Sequence, residues 1–355
     1  MHRRNERSKF FSNFTNEKIV EIKLEESLMR KNQLNISIIG AGTIGTALGN
    51  IIASNETHRV RLLSIEEQVV NSINKEGINT KYFPTLHLQP SLTATIENEK
   101  IKDSDIIFLA IPSVVLIDYL TSLHSCIPVE ATLVNLAKGF GLEHKTIIHC
   151  LKDRFPNPLC TMKGPSFARE IINRVPTGFT IGCTDPDRGD ELEALFKGTT
   201  IYIDRTDDIE GVEILSILKN IYAICLGIVD AHFNSPNIRF LILTKAFNEM
   251  RKILLLYKGK EETIFKYCGY GDFTLTALND LSRNRTLGLL IGKGFFTEHV
   301  SHELVLEGKV AVNVFYEEIT AIMDVQKEFP IIGELYKIFN TNYDVAAFVS
   351  NLLTF

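Results

Sequence analysis

The chain has 355 residues, 45% of them apolar and 23% charged, with a formal net charge of −5; a chain of that length buries a substantial core and divides more readily into two domains than into one or three. The acidic balance supplies no general attraction to nucleic acid or to acidic membrane surfaces, so an anionic ligand needs a local pocket of Lys and Arg. No run of apolar residues approaches the ~18 that a membrane span requires, and Cys126, Cys150, Cys160, Cys183, Cys225 and Cys268 show neither C-x-x-C nor close Cys/His pairs, which reads as reduced core thiols of a cytoplasmic protein with no disulfide framework and no metal site.

Residues 1–34 differ in character from the rest of the chain. "MHRRNERSKF" is Arg-rich, but Glu6, Glu17, Glu21, Glu25 and Glu26 speak against a transit peptide, and no apolar stretch comes after it; the segment is expected to be a partly helical extension. From Asn35, short apolar strands alternate with helices: "NISIIG" strand, "TIGTALGNIIASN" helix, "HRVRLLSI" strand, "SDIIFLAIP" strand, "VVLIDYLTSLHSC" helix, "ATLVNLAKG" strand, then "NPLCTMKGPS", "TGFTIGC" and "TTIYID" as far as Asp204. Such alternation predicts an α/β domain with a Rossmann-type doubly wound, mostly parallel sheet over 35–206. After "DRTDDIEGVE" the strand signals nearly cease. "EILSILKNIYAICLGIVDAHF", "IRFLILTKAFNEMRKILLLYK", "FYEEITAIMDVQKEF" and "DVAAFVSNLLTF" predict an all-helical C-terminal domain over 207–355, with "KGKEE" as an exposed turn.

Gly40, Gly42 and Gly45 follow the first strand and open the helix after it. At that spacing Gly40 makes the tight turn, Gly42 lets a pyrophosphate reach the backbone, and Gly45 lets the helix pack on its strand; the helix N-terminus offers N–H groups and a positive dipole end. A glycine-rich turn without a ligand is the plainer alternative. Past the second strand, Ser64, Glu66 and Glu67 lie in a stretch with no basic residue between Arg61 and Lys75. An acid there suits the ribose hydroxyl of NAD, with NADP possible if Arg59 or Arg61 folds over.

Reduction of a ketone by a nicotinamide needs a proton donor at the carbonyl oxygen. Lys219 and Asn220 interrupt an apolar helix whose buried face is marked by Leu215, Leu218, Tyr222 and Cys225; a lysine there could also snorkel outward. Lys138 follows a strand end, where open α/β sheets place ligands, or is an ordinary surface lysine. Gly164-Pro165-Ser166 make a tight turn after another strand, and "GYGDFTLTALNDLSRNRTLG" gathers Asp272, Thr276, Ser282, Arg283 and Asn284. Arg with amide and hydroxyl neighbours suits a phosphate, and Asp272 could orient Lys219. The plainer alternatives are a solvated basic turn and a helix cap at Asp272.

In order along the chain, "GAGTIGTALG", "NTKYFP", "SDIIFLAIPS", "AKG", "KGPSFARE", "PTG", "IEGVEILSILKNIYAICLGI", "GYGDFTLT", "SRNRTLG" and "VLEGKVAV" resemble the NAD(P)-dependent glycerol-3-phosphate dehydrogenases of the bacterial type, from Asn35 to the C-terminus. The resemblance implies a 6-phosphogluconate-dehydrogenase-like helical domain behind the Rossmann domain, an active site in the cleft between them, and a homodimer. It implies Lys219 as general acid/base and Lys138 as the second active-site lysine. Substrate contacts would fall on Lys138, Gly164, Ser166, Asn220, Asp272, Thr276, Ser282, Arg283 and Asn284. Cofactor contacts would fall on Thr43, Ile44, Lys138, Ala168, Arg283, Val305 and Glu307. The activity implied is reversible hydride transfer between NAD(P)H and dihydroxyacetone phosphate, feeding glycerophospholipid synthesis. A sister dehydrogenase on another small phosphorylated or carboxylated hydroxy compound, or a silent NAD-binding partner protein, are the alternatives.

The chain also departs from the family's pattern. Leu63-Ser64-Ile65 replaces Trp and a basic residue, Thr244-Lys245-Ala246 replaces Thr-Arg-Gly, and "DAHFNSPN" keeps Asn237 without the usual Gly-Asp-Asn run. "LAKGF" replaces Ser-Lys-Gly, and "MKGPS" puts an extra cation, Lys163, beside the substrate turn.

Overall fold

The computed structural model describes residues 33–295 and 302–354, and for 302–307 the backbone alone. β1 (Asn35–Ile39), α1 (Thr43–Ala53) and β2 (Arg59–Leu63) form the first βαβ unit, followed by α2 (Glu67–Glu76). A hairpin of β3 (Ile78–Asn79) and β4 (Phe83–His87) comes next, then β5 (Leu92–Thr95), β6 (Ile106–Leu109), α3 (Ser113–Ser122) and β7 (Thr132–Asn135). α4 (Ile147–Lys152), β8 (Leu159–Lys163), α5 (Ala168–Ile172), β9 (Thr177–Cys183), α6 (Pro186–Ala194) and β10 (Ile201–Thr206) complete the sheet.

Its eight strands run β10-β9-β8-β7-β6-β1-β2-β5. Every pairing is parallel except β8 with β9. The central strands are predominantly apolar because helices cover both faces: Ile36, Ile38 and Phe108 join one buried cluster, while Ile39, Ile107 and Leu109 join the other. The order reverses between β1 and β6, so the carboxyl ends of these two strands open the crevice where α/β sheets bind ligands. The β3–β4 hairpin and β5 have no counterpart in the sequence reading, since β3 has two residues and β4 (FPTLH) and β5 (LTAT) lack the continuous apolar run that marks the central strands.

From Ile209 the chain is helical: α7 (Ile209–Phe233), α8 (Pro236–Leu256), α9 (Asp272–Leu278), α10 (Arg283–Gly292), α11 (His302–Thr320), α12 (Val325–Glu328), α13 (Pro330–Asn340) and α14 (Val345–Thr354). They pack around α7, which is buried on nearly every side. This helix corrects the expectation about apolar runs: over 25 residues it is long and apolar enough to cross a membrane, yet its apolar window is 94% buried inside the fold. A helix enclosed by other helices has no polar face, which is also why Leu215 and Leu218 could not single out one buried side. α10 approaches α7 closely because Gly288 has no side chain; a Cβ there would lie 2.1 Å from the Ile224 carbonyl oxygen.

Candidate active site

Four elements bring charged side chains to one point. β7 ends at Asn135 and its exit carries Lys138; β8 ends at Lys163 and runs into the Gly164–Ser166 turn. α7 carries Lys219, and α9 begins with Asp272 and places Thr276 one turn on. Asp272 is 1% exposed and Lys219 5%, so neither snorkels to water. The Asp272 carboxylate accepts from Lys219 Nζ at Oδ1 (2.8 Å) and from Lys138 Nζ at Oδ2 (2.9 Å). Lys138 also donates to the Gly164 carbonyl (3.3 Å), and Ser166 Oγ donates to the same oxygen (2.8 Å). Thr276 gives its own proton to the Asp272 carbonyl (2.6 Å), leaving its hydroxyl oxygen to accept from Lys219 (2.8 Å).

Asp272 is not a helix cap; Gly271 holds that place and the carboxylate turns to the lysines. Burial lowers the Lys219 ammonium to about 7; Asp272 opposes the fall and the Lys138 charge deepens it. An amine balanced near neutrality both gives and takes a proton under ordinary conditions.

Lys163 is accounted for. It is fully buried, donating to Glu213 Oε1 and to the Asn135 carbonyl, both at 3.0 Å. Glu213 was not foreseen from the sequence; an acid within the apolar run "GVEILSILKN" was the available clue, because a carboxylate in such a helix needs a cation.

The "SRNR" turn divides in function. Ser282 caps α10, accepting from the Arg285 N–H at 3.3 Å. Arg285 is buried and paired with Asp230 and, at 3.2 Å, with Asp280; Asp230 also holds Arg239 at 2.8 Å. Arg283 is the first residue of α10 and exposed, and Asn284 beside it is half-buried. Among the described residues, the side chains of Asn220, Arg283 and Asn284 make no hydrogen bond or ion pair, so the structure does not join them to the lysine–aspartate cluster.

Dinucleotide fit can be judged at the β1–α1 turn. Gly40 has φ +111°, and its N–H donates to the Leu63 carbonyl at 2.8 Å. Gly42 faces open space, with no atom within 4 Å of where a Cβ would stand. The N-terminus of α1 carries no side-chain cap and no acid in its first turn, leaving its N–H groups for an anion. Gly45 is buried, Ile44 half-buried and Thr43 exposed at this end, and Ala168 opens α5, which packs on α1. These residues fit a pyrophosphate. Val305 and Glu307 belong to α11, but their side chains lie outside the described residues.

At the end of β2, Ser64 Oγ accepts from the Glu66 N–H at 3.1 Å. Glu66 forms an ion pair with Lys81 and accepts from the Tyr82 hydroxyl at 3.4 Å. Arg61 turns away to Asp103 at 3.2 Å. A cation therefore does stand at the β2 exit, supplied by the β3–β4 hairpin and invisible to a reading of the 61–75 stretch alone.

Residues 35–188 match the family described as NAD-dependent glycerol-3-phosphate dehydrogenase N-terminus, and residues 208–350 match its C-terminus. The glycerol-3-phosphate dehydrogenase, NAD(P)+, of Methanothermobacter thermautotrophicus is 35% identical over 73% of this chain and 80% of its own. That of Desulfotalea psychrophila is 30% identical over 90% of this chain and 96% of its own. The crystal structure of glycerol-3-phosphate dehydrogenase from Coxiella burnetii superposes with a TM-score of 0.82 at 26% identity, covering 91% of this chain and 99% of the other.

Proposed function

The chain belongs to the NAD-dependent glycerol-3-phosphate dehydrogenase family, and we propose from that premise how its residues divide the work. It is an NAD(P)-dependent oxidoreductase acting on a CH–OH group, interconverting dihydroxyacetone phosphate and sn-glycerol 3-phosphate. When bound, the nicotinamide supplies or accepts the hydride. Lys219 supplies the proton to the ketone oxygen during reduction and takes it from the hydroxyl during oxidation. The observation that carries this role is the shared Asp272 carboxylate, which holds Lys219 and Lys138 side by side.

Lys138 adds a second positive charge that favours the developing alkoxide, while Asp272 balances one of the two cations and orients both. Arg283 and Asn284, with the N–H groups of the α10 terminus, grip the phosphate, and Gly164, Ser166, Ser282, Asn220 and Thr276 line the remainder. Binding energy from the phosphate fixes the carbonyl carbon for hydride transfer. Gly40, Gly42, Thr43, Ile44 and Gly45 hold the pyrophosphate; Ala168, Val305 and Glu307 complete that side. Glu66 favours NAD at the ribose.

The two functional units are residues 35–206 and 207–355, with the site at their junction. Residues 1–34 stand outside both. A cytoplasmic homodimer feeding glycerophospholipid synthesis is the cellular form this reading favours. The deciding experiment measures NADH oxidation with a panel of ketones. Turnover of dihydroxyacetone phosphate that is lost in Lys219→Ala, with NADH binding retained, supports it; activity only on unphosphorylated ketones, or normal turnover in the variant, overturns it.

A further inference from the structure

Beneath the Lys138–Asp272–Lys219 cluster lies a second buried charged group. Glu213, on α7, is less than two turns before Lys219. Its Oε1 accepts from Lys163 at 3.0 Å, from Asn135 Nδ2 at 2.9 Å and from the Thr161 hydroxyl; its Oε2 accepts from Asn135 Nδ2 at 3.0 Å. The Thr161 oxygen also lies 3.2 Å from the Asn135 carbonyl, a second acceptor for its single proton, and Lys163 donates to that carbonyl at 3.0 Å. Asn135 Oδ1 in turn accepts from the Ala137 N–H at 2.9 Å, shaping the turn that presents Lys138. All four residues are at most 1% exposed.

One carboxylate thus fastens the helix that carries Lys219 to the ends of the two strands that lead into Lys138 and Gly164. Apolar contacts would tolerate a slide of the helix along the sheet; a buried ion pair with saturated hydrogen bonds does not, because any slide strands a charge. We propose that Glu213 and Lys163, with Asn135 and Thr161, are positioning residues that hold Lys219 and Lys138 in register across Asp272. The inference rests on Lys219 being the proton donor. None of the four reaches the reacting atoms; they act through the placement of the two lysines.

The test compares Glu213→Gln, the double variant Lys163→Met/Glu213→Gln, and Thr161→Val with the wild-type chain. The readouts are kcat and KM for NADH-dependent reduction of dihydroxyacetone phosphate, the pH profile of kcat, and the titration midpoint of Lys219 followed by 13C NMR of its ε-carbon in the cofactor-free protein. Expected for Glu213→Gln and the double variant is a fall in kcat of about 10-fold or more, a KM for NADH within about twofold, and an NMR midpoint displaced by about half a unit or more. Thr161→Val removes one hydrogen bond and keeps the ion pair, which makes it the mildest of the three changes. Its kcat should fall about threefold, with a displacement of the same sign. An unchanged kcat and an unchanged midpoint in Thr161→Val, or in a folded Glu213→Gln, overturns the proposal and leaves the network as a support for folding alone. Lys219→Ala run alongside separates the two readings: normal turnover in that variant refutes the proton-donor role, whatever the positioning variants do.

Discussion

Lys138 and Lys219 hold one oxygen each of the Asp272 carboxylate, at 2.9 and 2.8 Å, although one lysine comes from a strand exit and the other from the central helix of the helical region. Two cations on one anion leave the cluster a net positive charge when both lysines are protonated. An anionic substrate is attracted to that charge, and an alkoxide forming beside it is stabilised.

In the role proposed for it, Lys219 sets the pH dependence: reduction needs its ammonium and oxidation its free amine. With the group at about 7, kcat for reduction should fall as pH rises through about 7, and kcat for oxidation should rise through the same point. Steady-state profiles in the two directions check this. Parallel profiles, both rising or both falling, would remove Lys219 from the proton transfer.

Asp272→Asn should move that inflection downward. The carboxylate opposes the effect of burial on Lys219, and an amide cannot, so less of the ammonium survives at neutral pH. Reduction at pH 7 should drop about 10- to 100-fold, recovering in part at lower pH. An inflection that stays in place would show that Asp272 merely fills space.

Arg283 is exposed at the first turn of α10 and should act on the phosphate alone. Arg283→Ala should lower kcat/KM for dihydroxyacetone phosphate by about 10- to 100-fold, the cost of one charged hydrogen-bonding partner. The same change should scarcely affect turnover of phosphate-free dihydroxyacetone. Equal losses on both ketones would contradict the role.

Cofactor choice should respond to the Glu66–Lys81 pair. Glu66→Ser removes the acid that suits a ribose hydroxyl and frees a cation for a 2′-phosphate. The ratio of kcat/KM for NADPH over NADH should rise about 10-fold; a ratio that does not change would exclude Lys81 from the adenosine pocket.

A stability effect is expected far from the chemistry. Glu249 is buried, accepting from the Ile331 N–H at 2.8 Å and from the Tyr222 hydroxyl at 3.1 Å, and burial raises its carboxyl to about 7 from the ordinary 4.5. Between those values the folded chain holds a proton that the unfolded chain has released. Its contribution is therefore fully present below about pH 4.5 and is lost as pH rises to about 7. Thermal melts from pH 5 to 8 should show a decline of a few degrees that is flatter in Glu249→Gln.

Much of the molecule is legible along the chain. The alternation of apolar strands and helices up to Thr206 is a local property, because a strand buried on both faces is apolar over most of its length. The glycine turn is legible for the same reason: the φ of Gly40 and the open space at Gly42 are demands on single residues. The small hairpin was missed because β3 has two residues and β4 is mostly exposed, so neither forms an apolar run. Lys163 looked anomalous because its partner lies on a different element, and in the apolar α7 only Glu213 hints at which side faces the sheet. Lys81 escaped notice because a local window cannot see a cation delivered by a hairpin.

Taken alone, the sequence determined which residue types could bind a dinucleotide and move a proton, since backbone conformation and side-chain chemistry belong to each residue and its near neighbours. Only the tertiary structure decided that Lys138 and Lys219 share one carboxylate, that Arg285 rather than Arg283 is spent on holding the helices together, and that Lys163 is neutralised by Glu213. Each of these depends on desolvation and on charge separation of a few ångströms between segments far apart in the chain. Burial moves Lys219 to about 7, and burial is a property of the packed fold, not of the residue that titrates.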